Sequence, residues 1–142
     1  MERFRFLEHT ADVLIEAYGS TLEEAFENAA IAVFEVITDT SKVEPREERW
    51  VSTEGTDLEN LLYRWIEELL ILHDTEGLVV SRAKVLSIKE ASDGYMLEAR
   101  VWGEPFDESR HEHRTIVKAM TYAQLSIRKE GDRWVVRFVV DI

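Results

Sequence analysis

Cysteine is absent from the 142 residues. Its absence excludes disulfides, thiolate zinc centres and cysteine nucleophiles together. Side-chain amides are nearly missing as well, confined to Asn28, Asn60 and Gln124, while Glu and Arg are plentiful. That balance points to a thermophilic source. With two prolines and six glycines there is no Gly/Ser/Pro-rich linker, repeat or low-complexity tract to divide the chain, so one domain over residues 1–142 is expected. No apolar run approaches the roughly 18 residues that span a bilayer. The opening Met1-Glu2-Arg3-Phe4-Arg5-Phe6 carries charge where the apolar core of a signal peptide would begin. A soluble, cytoplasmic protein without membrane association is the expectation. Basic residues are also scarce, 17 against 29 acidic, for a net charge of −12. Affinity for nucleic acid rests largely on cations that neutralise phosphates. No strong direct binding of nucleic acid is therefore expected unless the cations cluster locally; a role near RNA would run through a protein partner or a metal ion. The catalytic signatures G-x-S-x-G, H-E-x-x-H and the glycine-rich phosphate loop are all missing.

The hydrophobic pattern predicts an α+β fold. Phe4 and Phe6 alternate with Arg3 and Arg5, and Val13, Ile15 and Ala17 alternate with Leu14, Glu16 and Tyr18, giving two strands, the second ending at Gly19. Ser20 and Thr21 precede Glu23 and Glu24 as overlapping capping boxes. The helix they open carries Ala25, Phe26, Ala29, Ala30, Val33 and Phe34 at helical spacing. A strand over residues 48–53, with Trp50 as its anchor, leads to a second helix started by Asp57 and marked by Leu61, Leu62, Trp65, Ile66, Leu69 and Leu70, with Gly77 as its stop. Residues 78–90 and 95–102 read as a hairpin turned by Ser92-Asp93-Gly94, residues 103–113 as a polar loop, and residues 115–129 and 134–140 as further strands. Two helices among roughly six to eight strands joined by tight turns imply a largely antiparallel sheet, or sheets, packed on the helices.

Candidate site residues lie at both ends of the chain. Glu8-His9-Thr10-Ala11-Asp12 is a polar knot between two apolar strands; it either stabilises its own bend through Thr10 and Asp12 or turns polar groups into a cleft. At the other end, residues 134–140 form a strand that delivers Asp141 and Ile142. The Asp141 carboxylate beside a terminal Ile142 carboxylate calls for a counter-charge, either a basic side chain or a hard cation. With Asp12 added, three oxygen donors would suit Ca²⁺ or Mg²⁺ and suit softer metals poorly. Lys118, in the run Ile116-Val117-Lys118-Ala119-Met120, reads either as the solvent face of a strand or as a group that holds a phosphate or the acidic cluster. His111-Glu112-His113, between Arg110 and Arg114, has the H-x-H spacing of a zinc pair but no third ligand; a solvated loop is the expectation there.

Taken together, the motifs resemble one family. His9-Thr10-Ala11-Asp12, Gly19, Thr21-Leu22-Glu23-Glu24-Ala25-Phe26 and Ala29-Ala30 match the N-terminal signature of the archeases. The similarity continues through Thr38-Asp39, Asp57-Leu58-Glu59, Leu61-Leu62, Trp102-Gly103-Glu104, Val117-Lys118-Ala119 and Thr121-Tyr122 to Val140-Asp141-Ile142. The resemblance implies a small acidic accessory protein of tRNA splicing and RNA repair. Its partner would be the RtcB-type RNA ligase, whose guanylylation and multiple turnover it would promote without catalysing a reaction itself. It also implies that the metal ligands fall on Asp12, Asp141 and Ile142, with calcium as the ion and magnesium as the alternative. A functional lysine falls on Lys118, and His9 is left in a supporting position. Two other classes compete: a metal-dependent phosphate-ester hydrolase with His9 as general base, and a chaperone-like protein for RNA-processing enzymes. Nothing in the sequence sets an oligomeric state.

Overall fold

The computed structural model describes residues 2–7 and 12–142. In chain order the elements are β1 (Phe4–Leu7), β2 (Asp12–Gly19), α1 (Leu22–Ile37), β3 (Glu47–Gly55), α2 (Leu58–Glu76), β4 (Leu78–Ala91), β5 (Gly94–Pro105), β6 (Ala119–Met120), β7 (Ser126–Glu130) and β8 (Arg133–Asp141), with a 3-10 turn at Thr40–Lys42. One sheet has the order β1-β2-β8-β6, with β7 also paired to β8, and the other has the order β3-β5-β4. Every pairing is antiparallel. The fold is α+β.

Helix α1 explains the architecture. Ala25, Phe26, Ala29, Ala30, Ile31, Ala32, Val33 and Phe34 are all buried, which is apolar surface on more than one side. A helix of this kind must be covered from several directions. It packs on β2 and β8 of one sheet and on β4 of the other, and its alanines let both sheets approach closely. The second helix leans on β3 and β5, and the fully buried Trp65 ties it to the first by donating its indole N–H to the Phe26 carbonyl at 3.0 Å. The caps follow the sequence. Thr21 Oγ1 accepts the Glu24 N–H at 3.1 Å, Glu24 reaches back to the Ser20 N–H at 2.8 Å, and Asp57 accepts the Asn60 N–H at 2.7 Å. Gly77, at φ 67°, closes α2 in the left-handed conformation. Gly103 is required for a different reason: a Cβ there would collide with the backbone carbonyl of Val79 on the neighbouring strand.

Strand register sets which residues share a face. Ile15 opposes Phe138 and Ala17 opposes Val136, and these four belong to the core with α1. The alternate positions, Leu14 opposite Val139 and Glu16 opposite Arg137, point to the other side of the sheet. There Glu16 accepts from Arg137 Nε at 2.9 Å and from the Tyr18 hydroxyl at 2.9 Å. Burial pushes the Glu16 carboxyl up, but the hydrogen bonds from Arg137 and Tyr18 and the charge of Arg137 leave it below its ordinary value.

Two sequence expectations need correction. Trp50 does not anchor β3. It is 53% exposed, and Val51, Thr53 and Gly55 supply the buried face; alternation assigned the indole to the wrong side because size was taken for burial. Residues 115–129 are not continuous strand either. Only Ala119–Met120 and Ser126–Glu130 pair with β8, because the chain turns between them over residues 121–125, where Gln124 takes a positive φ of 55°.

Candidate functional site

The two ends of the chain meet at one end of the five-stranded sheet. Asp12, the first residue of β2, lies directly opposite Asp141, the last residue of β8. Directly opposed residues in an antiparallel pair have Cβ atoms about 5 Å apart on the same face. The two carboxylates therefore project together, on the face that carries Leu14 and Val139. Asp12 is half-buried and Asp141 exposed. Like charges at such a position are unfavourable without compensation.

Lys118 is brought to the same place. Its N–H donates to the Asp141 carbonyl at 2.8 Å, and Ala119, next along, pairs with Asp141. The lysine side chain is exposed. Ile142 is half-buried and packs against the core rather than trailing into solvent. A shallow groove of about 420 Å³ lies beside Asp12 and Ile142, lined also by Phe6, Leu7, Glu35 and Arg114, and does not include Asp141. A larger cleft of about 520 Å³, near the β4–β5 turn and lined by Asn60, Arg64 and Tyr95, contains none of the expected residues. His9 lies outside the described residues.

The long connection over residues 106–118 delivers Lys118, and a buried carboxylate holds it. Glu104 has no exposed surface. One of its oxygens accepts from Arg46 Nε at 3.0 Å and Arg110 Nη2 at 2.7 Å, the other from the Glu44 N–H at 2.8 Å and His111 Nε2 at 2.9 Å. Arg110 is the chief reason that the Glu104 carboxyl is held down to about 2, against the opposing effect of burial, with the Glu44 N–H and His111 adding to it. His111 Nδ1 accepts the Asp107 N–H at 2.9 Å, so the ring proton sits on Nε2, facing Glu104. Farther along, Arg114 donates to the Glu35 carbonyl at 2.9 Å and to its carboxylate at 3.0 Å, and Thr38 donates to the Glu112 carbonyl at 2.7 Å. An arginine among the last carbonyls of α1 also suits the negative end of the helix dipole.

His111 is thus a buried structural residue and not part of a solvated loop, while His113 is exposed and meets Phe106 edge-on. The H-x-H spacing presupposed a strand that is not there. Neither the Glu104 cluster nor the Glu35–Arg114 pair was named as functional from the sequence. The signals were the isolated Glu104 on an otherwise strand-like run and the concentration of Arg and His just after it.

The donors fit a hard cation in type. Among the described residues no three His, Cys, Asp or Glu side chains converge on a metal-sized point. Asp12 and Asp141 supply carboxylate oxygens only, and a Ca²⁺ shell of 6–8 oxygens is ordinarily completed by main-chain carbonyls, other carboxylates and water.

Comparison with known proteins identifies the family and the fold. Residues 4–142 match the model of the Archease protein family (MTH1598/TM1083). The chain is 61% identical to Protein archease of Aeropyrum pernix over 135 residues, 95% of this chain and 94% of that one. It is 56% identical to Protein archease of Sulfurisphaera tokodaii over 142 residues, the full length of both. The solution structure of Methanobacterium thermoautotrophicum protein 1598 superposes with a TM-score of 0.85 at 44% identity, covering both chains fully. A Thermotoga maritima crystal structure, described as an archease, possible chaperone, shares the fold at a TM-score of 0.61 and 23% identity, over 96% of this chain and 94% of that one. This chain belongs to the archease family. No helix among the described residues is long and apolar enough to cross a membrane.

Proposed function

We propose that this archease is a non-catalytic accessory protein of the RtcB-type tRNA-splicing ligase, working in the cytoplasm to promote the ligase's guanylylation and multiple turnover. The observation that carries the reading is the pairing of Asp12 with Asp141 at a sheet end where Lys118 is also fixed to Asp141. The family resemblance assigns function to these same positions, far apart in sequence.

In this reading Asp12, Asp141 and Ile142 hold a divalent cation, calcium with magnesium as the alternative. When bound, the ion supplies positive charge and Lewis acidity at the sheet end. Asp12 and Asp141 orient their oxygens from two hydrogen-bonded strands, so their geometry is set before the ligase arrives. Lys118 reaches from its pinned backbone to a nucleotide phosphate or steadies the two carboxylates. His9 supports Asp12. The buried Glu104 fixes the loop so that Lys118 stays in place.

The test is ligation with limiting ligase, GTP and excess RNA ends. Wild-type archease should allow many turnovers per ligase, whereas folded Asp12→Ala and Asp141→Ala should leave the ligase near a single round. Full multiple turnover with both variants contradicts the proposal.

A further inference from the structure

The outer face of the three-stranded sheet gathers cationic and aromatic side chains. Its inner face is formed by Val51, Val85, Leu97, Ala99 and Val101, all buried. On the outer face two neighbouring rows run across the strands β3, β5 and β4: Glu48, Trp102 and Arg82 in one, and Trp50, Arg100 and Lys84 in the next. The Arg82 guanidinium lies over the Trp102 ring at 4.7 Å from its centre, and that of Arg100 over Trp50 at 5.3 Å. Arg100 also meets Glu48 at 3.3 Å, and Lys84 approaches Glu27 of α1 at 3.9 Å. Glu98 and Glu54 lie in the rows beyond, toward the β4–β5 turn. Three cations and two indoles are thus gathered in a chain of net charge −12.

We propose that this face, centred on Trp50, Trp102, Arg82, Lys84 and Arg100, is a weak, sequence-tolerant platform for single-stranded RNA. Single-stranded nucleic acid is held by aromatic side chains on which bases stack and by cations that track the backbone. Both are present here, and Trp50 is half exposed on the open face of the sheet. Trp50 and Trp102 are diagonal neighbours, which on a sheet places them about 7–8 Å apart, and a cation flanks each of them. Anchors for a protein partner sit in well-packed, desolvated pockets, whereas Trp50 stands half exposed on an open face with the Arg100 guanidinium over its ring. Arg82, the one of the three cations without a carboxylate partner among the described residues, supplies the local positive charge that contact with nucleic acid needs in so acidic a chain, and Arg100 and Lys84 add to it by exchanging Glu48 and Glu27 for phosphate. The inference is independent of the ligase reading, because the isolated chain either binds RNA through this face or does not.

The experiment is fluorescence anisotropy of a labelled oligouridylate titrated with the full chain at low salt. Each phosphate neutralised on a single strand contributes about −0.7 to the slope of log K against log salt. Arg82 alone predicts a slope of about −0.7, and release of Glu48 and Glu27 by Arg100 and Lys84 brings it toward about −2. Trp50→Ala should weaken binding by about tenfold or more, as expected for the loss of one stacked base, and Lys84→Glu should do likewise. Lys42→Glu makes the same change of charge at an exposed position on the 3-10 turn and should leave the Kd within about twofold. The proposal is overturned if the wild-type chain shows no saturable binding. It is equally overturned if Lys42→Glu weakens binding as much as Lys84→Glu, which would mark general repulsion. Competition by a polyglutamate peptide at equal concentration would assign the face to an acidic protein segment instead.

Discussion

Replacing Glu104 by Gln should remove a defined portion of the acid-side stability of the protein. The carboxyl titrates at about 2 in the folded chain against an ordinary 4.5. Between these values the unfolded chain binds a proton that the native chain does not, so stability rises with pH across the window. The contribution is fully present above 4.5 and is lost as pH falls through about 2. A shift of this size corresponds to roughly 3 kcal/mol, at 1.36 kcal/mol per pKa unit. Glu104 has no exposed surface and faces four donors, so solvent does little to screen these interactions. Exposed pairs such as Arg5 with Glu2 are worth much less. Gln at this position retains the shape and one acceptor oxygen but not the charge. Urea unfolding followed by circular dichroism from neutral pH down to about 2 should show Glu104→Gln roughly 3 kcal/mol less stable near neutrality. The two curves should converge in acid. Parallel curves across the whole range would refute the assignment of this network as the acid-sensitive part of the fold.

Two further outcomes follow from the packing and the site. Gly103→Ala should cost at least about 3 kcal/mol, because the added methyl meets the Val79 backbone; Gly131→Ala, at φ +61° with open space around it, should cost only about 1–2 kcal/mol, and thermal melts of the pair check the contrast. Calcium alone should raise the Tm of the wild-type chain by roughly 5–10 °C at a hundredfold excess over its Kd, from linkage and a domain of this size. Asp141→Asn should abolish the rise; an undiminished shift would move the ion elsewhere.

The fold was legible where local signals and tertiary demands agree. Asp57, the Leu61-to-Leu70 stripe and Gly77 specify α2, and the observed helix, Leu58–Glu76, ends at that glycine. Ser92-Asp93-Gly94 marked the β4–β5 turn for the same reason. Trp50 failed because periodicity gives alternation and not its sign: nothing local tells which face of β3 meets the helices. Residues 115–129 failed because the turn that interrupts them, at Ala123 and Gln124, has none of the Gly, Pro, Asn, Asp or Ser residues that ordinarily signal one. The site was legible only in part. Asp12 and Asp141 drew notice as carboxylates at strand ends, but their opposition across β2 and β8 is a matter of register between the two ends of the chain. Glu104 was invisible as a structural centre because its partners come from two segments on either side of it in the chain, Glu44 and Arg46 far before it and Arg110 and His111 just after.

The central claim, that the Asp12–Asp141 end of the sheet acts on the ligase, is tested most directly by the rate at which spent ligase is re-guanylylated from labelled GTP. The account predicts that wild-type archease accelerates label transfer to the ligase, and that folded Asp12→Ala and Asp141→Ala do not. Acceleration by either variant equal to that of the wild type would contradict it.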